Sequence, residues 1–114
     1  MNDFQEKLVK KMDGYAHAVY KLTKNFPREE LYGITSQLRR ASLSVALNFI
    51  EGYARFRNKV NKNFLEISYG SLKESKYLIE FSFEEGYLSS LERKKLVDLS
   101  EEIGAMLWSI MKAQ

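Results

Sequence analysis

The sequence predicts an all-α protein, an antiparallel up-down-up-down four-helix bundle. Apolar residues recur at steps of three and four through most of the 114 residues, and no stretch shows the alternation of a strand. The breaks between periodic segments are short, roughly three to eight residues, and short links between long helices favour antiparallel neighbours. No break in composition separates a second domain, so residues 1–114 read as one.

In the first segment, Phe4, Leu8, Met12, Tyr15, Val19, Leu22 and Phe26 fall on a single helical stripe, with Asp3 as the expected N-cap. The only proline, Pro27, suits a first helical turn, so a second helix is expected to start near Arg28 and run to about Arg55. A third is expected from about Asn61 to Glu85 on Phe64, Ile67, Ser71 and Leu78, ended by Gly86 in the left-handed conformation. Ser89 and Glu92 form a capping box for a fourth, which carries Leu96, Leu99, Ile103, Leu107 and Ile110 towards the C-terminus.

The second helix holds more apolar residues than one face can take. At 100° per residue, Leu31, Ile34, Leu38, Ala41, Val45, Phe49 and Gly52 face the other helices. Leu43, Leu47 and Ile50 fall on a second face about 140° away, with Tyr32 and Ala46 near its edge. A polar line of Gln37, Arg40, Ser44, Asn48, Glu51 and Arg55 separates the two. On the fourth helix, Val97, Gly104, Trp108 and Met111 make a further strip, in which Trp108 has the size and amphipathic character of an interface anchor. Leu43, Leu47, Ile50 and Trp108 are therefore expected at contacts between copies of the chain.

Small residues line the third helix, where Ser68, Ser71, Ser75 and Ser82 sit within the apolar face with Gly70 nearby. Close helix contact is expected there, each hydroxyl bonding a carbonyl one turn back. A nucleophilic serine lacks support: the one histidine, His17, lies on the polar side of the first helix and no nucleophile elbow exists. A di-iron bundle needs at least two histidines, there is no cysteine, and phosphate-loop, zinc-helix and dinucleotide motifs are missing. No catalytic residue, metal or cofactor is expected. Glu51 and Glu74 are read as members of ion pairs, Glu51 with Arg55 at helical i, i+4 spacing. No run is long enough to span a membrane, no secretion signal is visible, and a cytoplasmic location is expected.

Charge is unevenly placed. Residues 1–62 hold 12 Lys/Arg against 6 Asp/Glu and residues 63–114 hold 6 against 9, so the net +3 conceals a basic front half. Its densest part is RFRNKVNKN, residues 55–63, read as a loop. Arg55, Arg57, Lys59 and Lys62 occur there without an acid, around Phe56 and three asparagines. Cations, amide donors and a stacking ring suit a phosphate backbone, and repetition around an oligomer would turn weak contacts into avidity. Arg39 and Arg40 are expected to add to this surface if no acid consumes them.

The segments QLRRASLSVALNFIEG and FLEISYGSLKES resemble the bacterial four helix bundle protein family encoded in intervening sequences of large-subunit ribosomal RNA genes, sometimes labelled a ribosomal protein. The match rests on Arg39, Arg40, Ala41, Ser44, Asn48, Glu51 and Gly52, then on Phe64, Leu65, Gly70, Ser71 and Glu74. It extends to the accessory variability protein of diversity-generating retroelements. The resemblance implies a homopentameric barrel, in which the second face of the second helix packs on a neighbouring subunit. The retroelement relatives imply a basic adaptor engaging a reverse transcriptase and nucleic acid, while most of the family has no assigned activity. Ile50 departs from the small residue common at that position, so packing near the turn is expected to differ.

The expected function is a non-enzymatic oligomeric adaptor that binds RNA or DNA through Arg39, Arg40, Arg55, Arg57, Lys59 and Lys62, with a reverse transcriptase as a candidate protein partner. The alternative is a protein-interaction scaffold whose positive charge serves solubility.

Overall fold

The computed structural model describes residues 1–114 and contains four α-helices and no strand, the make-up of a four-helix bundle. The helices are α1 (Asp3–Thr23), α2 (Ile34–Tyr53), α3 (Asn58–Glu84) and α4 (Ser90–Lys112). α2 packs on α1 and most extensively on α3, and α4 closes the ring against α3 and α1. Their inward faces bury Leu8, Met12, Tyr15 and Val19 of α1 with Leu38, Val45 and Phe49 of α2. Leu65, Leu72 and Ile79 of α3 and Leu96, Ile103 and Leu107 of α4 complete that core.

Helix starts follow local hydrogen-bond chemistry. Asn2, not the expected Asp3, caps α1 by accepting from the Gln5 amide while the Gln5 side chain accepts from the Asn2 amide. Asp3 instead contributes negative charge to the first turn, where it complements the helix dipole. The Ser89–Glu92 capping box starts α4 as expected, and Gly86, with φ of +83°, ends the turn after α3.

The region after Pro27 departs most from expectation. Pro27 has an extended ψ of 140°, Arg28–Glu30 form a single 3-10 turn, and α2 begins only at Ile34. This offset takes Leu31 out of the α2 register, leaving it 45 % exposed where the helical phase predicts core. Phe26 remains buried and packs its ring 5.4 Å from that of Tyr87. The Tyr87 hydroxyl donates to Glu30 Oε2 at 2.9 Å, tying this link to the one between α3 and α4, and the bond raises the Tyr87 pKa above its ordinary value.

α3 starts at Asn58, three residues before its expected beginning, so residues 58–63 are helix and not loop. The Asn61 side chain donates to the Gly52 carbonyl at 2.6 Å and draws the end of α2 onto the start of α3. Gly52 eases that approach, because a Cβ there would lie 3.3 Å from Phe64 Cβ and 3.4 Å from the Asn61 carbonyl oxygen, at the tight limit of ordinary contact. Ile67, expected on the inner face, is exposed; Leu65, Ser68 and Leu72 occupy the buried phase instead. Gly104 is also buried, against Leu72.

The serines of α3 satisfy themselves in two ways. Ser75 and Ser82 donate to carbonyls one turn back, Leu72 at 2.7 Å and Leu78 at 2.7 Å, as expected. Ser68 instead donates across to the Val45 carbonyl of α2 at 2.6 Å, and Ser71 pairs with Ser44 at 2.8 Å. Because Ser75 spends its proton on Leu72, Tyr15 donates to Ser75 Oγ at 2.7 Å, a bond from α1 to α3 within the core.

Burial pushes the Tyr15 pKa up to about 12, the bond to Ser75 opposing the shift only partly. A raised folded-state pKa means that the neutral phenol contributes its full stability below pH 10, and that this is lost as pH rises through about 12. The loss is on the order of 3 kcal/mol. Denaturant titrations at pH 9 and 12 are expected to show it in the native chain and to show a shallower decline in Tyr15→Phe. Equal declines would remove Tyr15 as the cause.

Candidate nucleic-acid interface

The expected basic residues separate into two groups along α2. Arg39 lies one turn into the helix, while Arg55 follows its far end, roughly 20 Å further along the axis. Arg39 turns back on α1: its Nε donates to Thr23 Oγ1 at 2.8 Å and its guanidinium lies 4.9 Å above the Tyr20 ring. Arg40 forms an ion pair with Glu74 of α3. Neither joins the cations of the α2–α3 link in one protomer, contrary to expectation, because each is drawn to the adjacent helix by a nearer partner.

At the link itself, Arg55 pairs with Glu51 one turn earlier and lies 5.3 Å from the Phe64 ring centre. Glu51 and Glu74 thus both serve ion pairs as expected, Glu51 at i, i+4 spacing and Glu74 across to α2. Arg57, Lys59 and Lys62 are exposed and take part in none of the chain's ion pairs. Arg57 stands at the N-cap of α3, and Lys59 and Lys62 are three residues apart in its first two turns, hence on neighbouring positions of one face. That terminus has neither a side-chain cap nor an acid in its first turn, so the positive end of the helix dipole reinforces the cations. Phe56, fully exposed in the four-residue link, stands beside Arg57.

The surface here is shaped by open depressions. One of about 450 Å³ is lined by Lys59, Val60, Lys62, Asn63 and Glu66, and the next by Arg55, Phe56, Arg57 and Val60. Asn61 lies between the two cationic positions of α3 but spends its amide on Gly52 and accepts from the Gln114 side chain at 2.8 Å. The C-terminal end of α4 therefore borders the basic corner. This neighbour was not legible in the sequence, since no motif links residues 53 positions apart.

Both apolar areas expected at subunit contacts are uncovered on the protomer. Leu43, Leu47 and Ile50 lie together on the outer side of α2, at 40 %, 56 % and 48 % exposure. Trp108 is on α4, diagonally opposite α2 in the ring of helices; its ring packs 5.6 Å from that of Tyr69 on α3 and stays half exposed. On α3, Ile67 and the adjacent rings of Tyr77 and Phe81 extend the exposed apolar surface. The expected interface residues thus form separate patches.

No three of the chain's His, Asp and Glu side chains are grouped to hold a metal ion. His17 lies at the surface beside Asp13. No helix is long and apolar enough to cross a membrane.

A family model described as 23S rRNA-intervening sequence protein matches residues 5–109. No curated protein matches the chain. Among solved structures, the chain is similar to a crystal structure of a protein of unknown function from the S23 ribosomal protein family of Bacteroides thetaiotaomicron. The two are 22% identical and superpose with a TM-score of 0.89 over 96% of this chain and 98% of the other. At that identity the likeness speaks for a common fold.

Proposed function

The chain belongs to the 23S rRNA-intervening sequence protein family, and from that premise we propose that it is a non-enzymatic, cytoplasmic adaptor that binds RNA or DNA as a homo-oligomer. The observation that carries the proposal is the set of unpaired cations Arg57, Lys59 and Lys62 at the uncapped start of α3. Lys and Arg neutralise phosphates and release counterions, which supplies affinity without reading bases. Phe56 adds a ring on which a base can stack.

Assembly is part of the proposal. The contacts Arg40–Glu74, Ser44–Ser71 and Gly52–Asn61 pair rising positions on α2 with falling positions on α3. Arg93–Glu80, Trp108–Tyr69 and Gln114–Asn61 do the same for α4 and α3, which supports an antiparallel up-down-up-down order in one domain. A two-fold dimer needs one self-complementary patch, whereas a closed ring needs two different ones. Separate patches on α2 and α4 favour a ring, and the resemblance to pentameric relatives sets the count at five. Each ring would repeat the basic corner five times, so that weak single contacts combine.

Titration with single-stranded RNA and DNA at graded salt tests the reading. Binding that weakens steeply with salt is expected, and affinity indifferent to salt contradicts it. The alternative is a protein scaffold with no physiological nucleic-acid ligand, favoured by the exposed Tyr77 and Phe81 rings, whereas a reverse transcriptase is a candidate partner of the adaptor. Partners that stay bound after nuclease digestion would support the scaffold, and signal that vanishes on digestion supports the adaptor.

A further inference from the structure

At the opposite end of α2 from the basic link, an open depression of about 230 Å³ lies between the end of α1 and the start of α2. Its polar lining is Thr23, Lys24, Arg28, Thr35 and Arg39, over an apolar floor that includes Phe26 and Pro27. It contains three cations and no carboxylate, and none of the three takes part in an ion pair. Glu30, a nearby acid in sequence, does not line it; its carboxylate accepts from the Tyr87 hydroxyl and lies 3.5 Å from the Ile34 amide.

Thr35 makes this more than a charged surface. It is only 2 % exposed, and its Oγ1 has no hydrogen-bond partner, the one buried side-chain polar atom in the chain of which this is true. Buried hydroxyls are nearly always paired, and an orphan one points to a missing partner. Thr35 is the second residue of α2, whose N-cap Gly33 supplies no side chain and whose first amide, that of Ile34, donates to Glu30 Oε1 at 3.5 Å.

Arg39 is held ready for a ligand. Its Nε donates to Thr23 Oγ1, which itself donates to the Val19 carbonyl at 2.7 Å, and its other bond is a long one of 3.5 Å to the Tyr20 carbonyl. A guanidinium has five N–H donors, so three remain for an anion. The fork geometry suits a tetrahedral oxyanion better than a halide.

We propose that this depression binds a phosphate group through Arg39, Arg28, Lys24 and the Thr35 hydroxyl. The site stands apart from the α2–α3 link and does not depend on the adaptor reading. The phosphate can belong to a monoester or to a diester within a nucleic-acid strand, and the two sources are separable.

Isothermal titration calorimetry of the full chain with inorganic phosphate at low salt tests the site. Saturable binding in the millimolar range at one site per protomer is expected. Thr35→Val, which keeps the shape of the side chain and removes the orphan hydroxyl, is expected to fold with unchanged helicity and to bind about tenfold more weakly. Lys24→Gln with Arg28→Gln should weaken binding at least as much, while Lys7→Gln with Lys10→Gln, exposed in the first half of α1 and away from the depression, should leave it unchanged. Absence of saturable binding, or binding unaltered by both the Thr35 and the Lys24/Arg28 changes, overturns the site. Thr35-sensitive binding of a 5′-phosphorylated oligonucleotide but not of its unphosphorylated form assigns the site to a monoester. Thr35-sensitive binding of both assigns it to the strand's own diesters, and either result sustains it.

Discussion

Replacing Leu43, Leu47 and Ile50 together by Asp is expected to convert the proposed ring into folded monomers. About half of each side chain is already covered within the protomer, so completing burial contributes nearer 1 kcal/mol per residue than the 1.5–3 of full burial. Truncation to Ala would therefore weaken association without abolishing it. A carboxylate does more, because bringing an unpaired charge into a closed interface costs several kcal/mol per ion. The three positions lie outside the core, so helix content by circular dichroism should be kept while the sedimenting mass falls to 13.3 kDa. An unchanged mass would mean that some other surface joins the subunits.

The second large effect is expected from Arg57→Gln, Lys59→Gln and Lys62→Gln made together. Removing one cation that neutralises a phosphate should flatten the log–log salt dependence by about 0.7 on a single strand or about 0.9 on a duplex. Three such cations per protomer make a change of about 2 in slope measurable for even a single engaged corner, and repetition around a ring would enlarge it. Arg40→Gln provides the contrast. Its guanidinium is engaged by Glu74 in an exposed pair worth about 0–1 kcal/mol, so its replacement should barely alter either binding or stability. Equal effects from Arg40 and from the three link residues would show that total charge, not the corner, governs binding.

The parts of this protein legible in the sequence are those set by local periodicity and capping chemistry. The α1 stripe, the inner face of α2 from Ile34 onward, the Ser89–Glu92 box and the Gly86 stop all follow from neighbours within one or two turns. The outer face of Leu43, Leu47 and Ile50 was equally readable, since an excess of apolar residues on one helix is a property of its own sequence.

What the sequence concealed depends on distant residues. The first turn of α3 has a single apolar residue, Val60, among Asn and Lys, so it carries no periodic signal; it is held by the Asn61 bond to Gly52 across the link. Leu31 misleads because Pro27 stays extended and resets the register before α2 begins. Arg39 and Arg40 looked like companions of the link cations, yet consecutive residues on a helix point about 100° apart, and these two meet different helices. Thr35 gave no signal, because only the assembled α1–α2 junction leaves its hydroxyl buried and alone.

Sedimentation equilibrium of the unmodified chain at micromolar concentration tests the central claim most directly, because both the outer face of α2 and the repeated basic corner depend on association. A single species at five times the 13.3 kDa protomer mass is predicted. A well-folded particle at the protomer mass would contradict it.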